Sequence, residues 1–149
     1  MFKKIIVPIE VDYPETAAAV YQRAVTLAGC CGAEIKLVSV MPGFGMPLVA
    51  SYISEDIRKN AKKRFTESLK QFIKDHCSQP VTYTLRTGKN WEEIVNAAEE
   101  WAADLIVVYH NRKREINEVF SQSCSQRVAD HATCSVLRLR RIKIKAATS

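Results

Sequence analysis

Lys4-Ile5-Ile6-Val7-Pro8-Ile9 is a short, β-branched and almost continuous apolar run. A strand with one wet face alternates apolar with polar residues. This run does not, so it reads as a strand buried on both faces, the kind a parallel sheet contains. Residues 104–109 (DLIVVY) have the same character. Glu34 to Val40 (EIKLVSV), Val81 to Arg86 (VTYTLR) and Ser135 to Arg140 supply three more strands.

Helical patterns fill the intervals. Pro14 and Glu15 open one in which Val20, Ala24, Leu27, Ala28 and Cys31 share a face. Gly32 stands where a left-handed residue closes a helix. Ser54 is a good N-cap, with Glu55 and Asp56 in the first turn, where the helix dipole favours anions. Ile57, Ala61, Phe65, Leu69, Phe72 and Ile73 then mark a long amphipathic helix with Lys and Arg on its other face. Asn90 with Glu93 forms a capping-box pattern for a third helix, faced by Trp91, Ile94, Val95, Ala98 and Ala102. Ser123 with Gln126 reads as a second box, opening a helix with Cys124, Val128 and His131 on one face. Met41 to Tyr52 and His110 to Phe120 read as loops.

Strict alternation of strand and helix predicts an α/β fold. The chain should form a single doubly wound domain, a five-stranded parallel sheet flanked by four helices with right-handed crossovers. Ligands are then expected beyond the carboxyl ends of the strands, where strand order reverses.

A chain of 149 residues, 47% hydrophobic and 26% charged, fits one soluble domain and leaves little room for a second. No apolar run approaches the roughly 20 residues that span a bilayer. Ile5 to Ile9 is too short for the core of a secretory signal, so a cytoplasmic protein without membrane partners is expected. Five cysteines, Cys30, Cys31, Cys77, Cys124 and Cys134, are odd in number, show no CxxC and no metal spacing, and read as reduced thiols. The net charge of +6 invites a nucleic-acid reading. However, Arg138, Arg140, Arg141, Lys143 and Lys145 lie within eight residues. Without them 17 basic residues face 16 acidic ones. The body is close to neutral, the excess sits at the C-terminus, and nucleic acid is not expected as a partner.

Four stretches carry a family resemblance: KKIIVPIE (residues 3–10), GAEIKLVSV (32–40), Gly88 with EEIVNAAEEWAADLIVV (92–108), and SCSQRVADHATCSVLRLR (123–140). In order and spacing they resemble the universal stress protein family, over essentially Phe2 to Arg140. The resemblance implies a domain over residues 1–141, followed by a basic tail, 142–149. It implies a Rossmann-like fold of the adenine nucleotide alpha hydrolase-like kind, and a cytoplasmic homodimer. In many members it also implies an ATP site at the tips of the first and fourth strands.

The nucleotide-binding members carry G-x2-G-x9-G-[ST] directly after the fourth strand. That pattern falls here on Tyr109, Arg112, Gln122 and Ser123, so all three glycines are missing and only Ser123 remains. Glycine lets backbone N–H groups approach phosphate oxygens with no Cβ in the way. The family's VPxD at the first strand is Val7-Pro8-Ile9-Glu10 here, one methylene longer. Glu10 is either an acceptor for a ribose or adenine group or a solvated carboxylate. Val40, at the end of the second strand, completes the candidate set.

The expected function is therefore a non-enzymatic stress-response protein. It would act as a homodimer through an unnamed protein partner, with a degenerate nucleotide pocket and no cofactor. The alternative is an ATP- or AMP-binding sensor that holds phosphates through Arg112, Lys113, Arg114 and Ser123. Val136-Leu137-Arg138-Leu139-Arg140 alternates apolar with basic residues, the pattern of an edge strand with one face on the core and charge on the other. In the family the last strand pairs across the dimer axis, which implies the interface lies there. Of His76, His110 and His131, only His110 lies at a strand tip, and no Ser or Cys beside it in sequence forms a nucleophile elbow. No catalytic residue is expected, nor a P-loop, nor a metal site.

Overall fold

A computed structural model describes residues 1–43, 54–110 and 122–140. The elements run β1 (Lys4–Pro8), α1 (Pro14–Cys31), β2 (Glu34–Pro42), α2 (Glu55–His76), β3 (Thr82–Gly88), α3 (Asn90–Trp101), β4 (Leu105–Tyr109), α4 (Gln122–His131) and β5 (Ser135–Leu139). All strand pairings are parallel, in the order β3-β2-β1-β4-β5. The α/β, doubly wound expectation is thus met, with β3 and β5 at the edges. The order reverses between β1 and β4, which opens the crevice where such sheets take ligands.

The two faces of the sheet carry separate cores. Ile5, Val7, Leu37, Leu105 and Val107 pack under α1 (Val20, Tyr21, Ala24) and α2 (Leu69, Phe72). Ile6, Val38, Val40, Ile106 and Val108 pack under α3 (Ile94, Ala97, Ala98) and α4 (Cys124, Val128). Neighbouring residues of β1 and β4 therefore serve opposite cores. This is why these two strands read as unbroken apolar runs. Asp104 ties their starts together by accepting from the amides of Lys3 at 2.8 Å and Lys4 at 3.1 Å. Desolvation pushes this carboxyl's pKa up, but the backbone amides outweigh it and hold the group below its ordinary 3.8.

The helix ends show which local signals act. Pro14 occupies the first turn of α1, and Gly32 closes it in the left-handed region at φ 69°. The Ser54 hydroxyl accepts from the amide of Ile57 at 3.3 Å, so its N-cap is made. The Asn90–Glu93 capping box is not made. Lys89 is the N-cap without a side-chain bond, because the Glu93 carboxylate is taken by Arg86 Nε at 2.9 Å. Arg86 also grips Glu100, so an ion-pair fork clamps edge strand β3 to α3. Gly88 ends β3 at φ 146°, and a Cβ there would lie 3.1 Å from the Glu93 side chain. Glycine is therefore required beside this clamp. In the second expected box Gln126 is engaged elsewhere, donating to Asp130 at 2.8 Å and accepting from Arg138 at 3.0 Å; the side chain of Ser123 lies outside the described residues.

The last strand departs most from its sequence reading. Arg138 is half-buried and turned towards α4, whereas Leu137, on the opposite face, is 40% exposed. The charge expected on the outside points inwards. Alternation sets a period of two but not which face is covered. Here α4 lies over the face holding Val136 and Arg138, and Leu137 is left at the open edge.

Candidate functional site

The crevice at the carboxyl ends of β1 and β4 is built from tightly held backbone. The amide of Ile9 donates to Val38 O at 2.8 Å, and the buried Ser39 hydroxyl donates to Ile9 O at 2.8 Å. The chain then turns, with the amide of Tyr13 donating to Glu10 O at 3.1 Å. Glu10 is only 5% exposed, so the solvated reading of this carboxylate does not hold. Val40 is buried against α3.

Across the crevice, Tyr109 ends β4 and its side chain packs into the core beneath α1. The next residue, His110, faces the other way, as strand alternation requires. Its amide donates to Leu139 O at 2.8 Å and continues the ladder to β5. His110 is 4% exposed and Ser125, in the first half of α4, is fully buried. The Ser125 hydroxyl lies 2.8 Å from His110 Nδ1. Arg138 Nη2 reaches the same nitrogen at 2.7 Å and the Ser125 hydroxyl at 3.4 Å.

Hydrogen-bond chemistry fixes the roles in this trio. A guanidinium only donates, so Nδ1 accepts and the ring proton of a neutral His110 sits on Nε2. A hydroxyl against an imidazole is the pair that base-assisted nucleophiles use. Here, however, the lone pair a base needs is shared with Arg138, and the hydroxyl has no exposed surface. The trio is built as a strut: Arg138 of the edge strand is pinned through His110 and Ser125 to β4 and α4. Arg138 Nε is buried with no partner among the described residues, and Nη1 is spent on Gln126.

Cys124 sits beside Ser125 and is 6% exposed. Desolvation, reinforced by the Glu10 carboxylate and opposed by Arg127, pushes its thiol up to about 12. It stays protonated and unreactive at neutral pH. Exposed Cys30 is expected to label with a maleimide in the native protein, while Cys124 labels only after denaturation. Peptide mapping by mass spectrometry checks this; prompt native labelling of Cys124 would contradict it.

Of the candidate residues, Glu10 follows β1, Val40 lies in β2 and Tyr109 ends β4, and the side chains of Val40 and Tyr109 belong to the two cores. Gln122 and Ser123 are the first two residues of α4. Arg112, Lys113 and Arg114 lie outside the described residues. Sequence reading missed the contact of His110 with Ser125, fifteen residues on, and with Arg138. One signal was available: Ser125 is three residues before Val128 and so shares its inward face, where a hydroxyl needs a partner. Among the described residues no cluster of His, Cys, Asp and Glu is placed to hold a metal, and no helix is long and apolar enough to cross a membrane.

The universal stress protein family model matches residues 1–140. The chain belongs to the universal stress protein family. Universal stress protein MJ0531 of Methanocaldococcus jannaschii is 29% identical over 148 residues, covering 96% of this chain and 85% of the relative. Among solved structures, universal stress protein UspA of Lactobacillus plantarum superposes with a TM-score of 0.67 at 23% identity, covering 93% of this chain and 98% of that one. A universal stress protein in complex with cAMP superposes with a TM-score of 0.67 at 16% identity, covering 95% and 99%. These structural likenesses place the chain in the universal stress protein fold, and the geometry above describes how its strand-four tip is built.

Proposed function

We propose that this universal stress protein is a non-enzymatic, cytoplasmic homodimer that acts by binding a protein partner, its nucleotide pocket having been given over to structure. The observation that carries this reading is the filling of the strand-four tip. Where a glycine would leave room, Tyr109 is a core residue. Beside it His110, Ser125 and Arg138 are already bonded to one another. A phosphate would have to displace contacts that are already made, and it would gain no glycine cradle. The partly exposed apolar strip of β5 supports the dimer: Leu137 is 40% exposed on an edge strand, and such edges pair or are guarded. In this reading Val136 to Arg140 pair with a second copy, and the fold needs nothing of residues 142–149.

A second reading, a sensor of ATP, AMP or a cyclic nucleotide, is favoured by one observation. Glu10 remains a buried acceptor-bearing residue at the tip of β1, in a fold one of whose members holds cAMP. Arg112 and Ser123 would then supply phosphate contacts. Mass spectrometry of the supernatant from denatured, freshly purified protein separates the two. The structural pocket predicts less than about one nucleotide per ten chains. Near-stoichiometric ATP, AMP or cAMP would overturn it.

A further inference from the structure

The chain's positive charge is not confined to its C-terminus. Residues 57–74 of α2 hold seven cations, Arg58, Lys59, Lys62, Lys63, Arg64, Lys70 and Lys74, against one carboxylate, Glu67. Glu55, Asp56 and Asp75 at the two ends of the helix bring the net of α2 as a whole to +3. All seven are exposed. At about 100° per residue, Lys59, Lys62, Lys63, Lys70 and Lys74 fall within an arc of about 120°, along about 22 Å of helix. None of these five is in an ion pair with a described residue. Before Leu69, α2 buries no residue, so the densest part of the row, Lys59 to Lys63, stands clear of the core.

We propose that this lysine row is a docking face for the phosphate backbone of double-stranded nucleic acid, bound without regard to sequence. Three features favour that occupant. The row is all lysine, a flexible point charge that meets phosphate oxygens without the paired geometry of an arginine–carboxylate contact. It contains no aromatic side chain, so there is no platform on which the bases of a single strand would stack. On the same helix Leu69 and Phe72 are spent on the sheet core, and Ile57, 56% exposed, is its one large apolar residue in the open among the described residues, too little apolar surface to lay into a bilayer. Lys59 and Lys63, and Lys70 and Lys74, are pairs about 6 Å apart along the axis, with about 10 Å between the two pairs. A phosphate backbone, with a charge every 3.4 Å or so per strand, supplies a partner for each. The row lies outside the nucleotide crevice, and this inference stands whichever reading of that crevice holds.

The test is fluorescence anisotropy of the full-length protein with a labelled, mixed-sequence 20-base-pair DNA duplex at 50 and 200 mM salt. Neutralising about four phosphates predicts affinity about 100-fold weaker at the higher salt. Changing Lys59→Gln, Lys62→Gln and Lys63→Gln together is expected to weaken binding at 50 mM by tenfold or more. It should also reduce the salt effect to less than tenfold. All three positions are exposed, and an unchanged thermal melt confirms the fold. Changing Arg141→Gln, Lys143→Gln and Lys145→Gln together should leave the salt dependence as it was. The proposal is overturned by absence of binding at 50 mM, or by binding that follows the tail cations and ignores the helix. It is equally overturned if phosphatidylserine vesicles bind and the duplex does not.

Discussion

Replacing Tyr109 by glycine, the residue that the nucleotide-binding pattern places there, is expected to destabilise the domain by about 4 kcal/mol, since removal of a large buried aromatic costs roughly 3–5 kcal/mol and glycine in a strand adds a further fraction. The ring is 7% exposed and belongs to the cluster formed with Ile5, Val7, Val107 and α1. For a domain of this size that is a fall in Tm of roughly 10 °C. Tyr109→Phe keeps the ring and should cost under about 1 kcal/mol. Urea unfolding of both variants decides the matter. A loss below 1 kcal/mol for Tyr109→Gly would mean that the side chain is not the core residue it is taken for, and the glycine site would regain its credit as a vacant phosphate cradle.

Leu137→Asp is expected to convert a dimer into a 16.8 kDa monomer. On an edge strand paired with its own copy, each substitution is counted twice, because a two-fold interface uses the same patch on both subunits. Burying a leucine is worth about 1.5–3 kcal/mol, and a carboxylate in its place adds a desolvation penalty. Together they weaken association by more than 100-fold. Leu137 is 40% exposed within one chain, so the monomer should keep its fold and most of its Tm. Sedimentation equilibrium at micromolar concentration is the measurement. A wild-type monomer, or a variant that still dimerises, contradicts the assignment of the interface to β5.

Much of this architecture could be read because its causes are local. The runs Lys4 to Ile9 and Asp104 to Tyr109 lack a polar face because each strand separates two cores. Gly32 and Ser54 act within one turn of themselves. The capping box at Asn90 failed for a reason that lies elsewhere: Arg86, on a strand, competes for Glu93. Arg138 faces the side opposite to the one its alternation suggests, for a similar reason. Its alternation with Leu137 and Leu139 is symmetrical until α4 covers one face. The crevice itself was legible as a place, through the reversal of strand order, but not as chemistry. The His110–Ser125–Arg138 trio joins three elements, and no spacing rule relates positions 110, 125 and 138. The charge balance misled by subtraction: removing the C-terminal cations left a neutral sum, and a neutral sum says nothing about the row on α2.

The central claim is that this family member has exchanged phosphate binding at the strand-four tip for a protein strut. It is tested most directly by calorimetric titration of the purified full-length protein with ATP and with cAMP, followed on the same sample by NMR of the imidazole of His110. The strut predicts no saturable heat up to millimolar nucleotide, and an Nδ1 that remains an acceptor throughout. A micromolar Kd for either nucleotide, with the His110 resonances shifting in step, would contradict it.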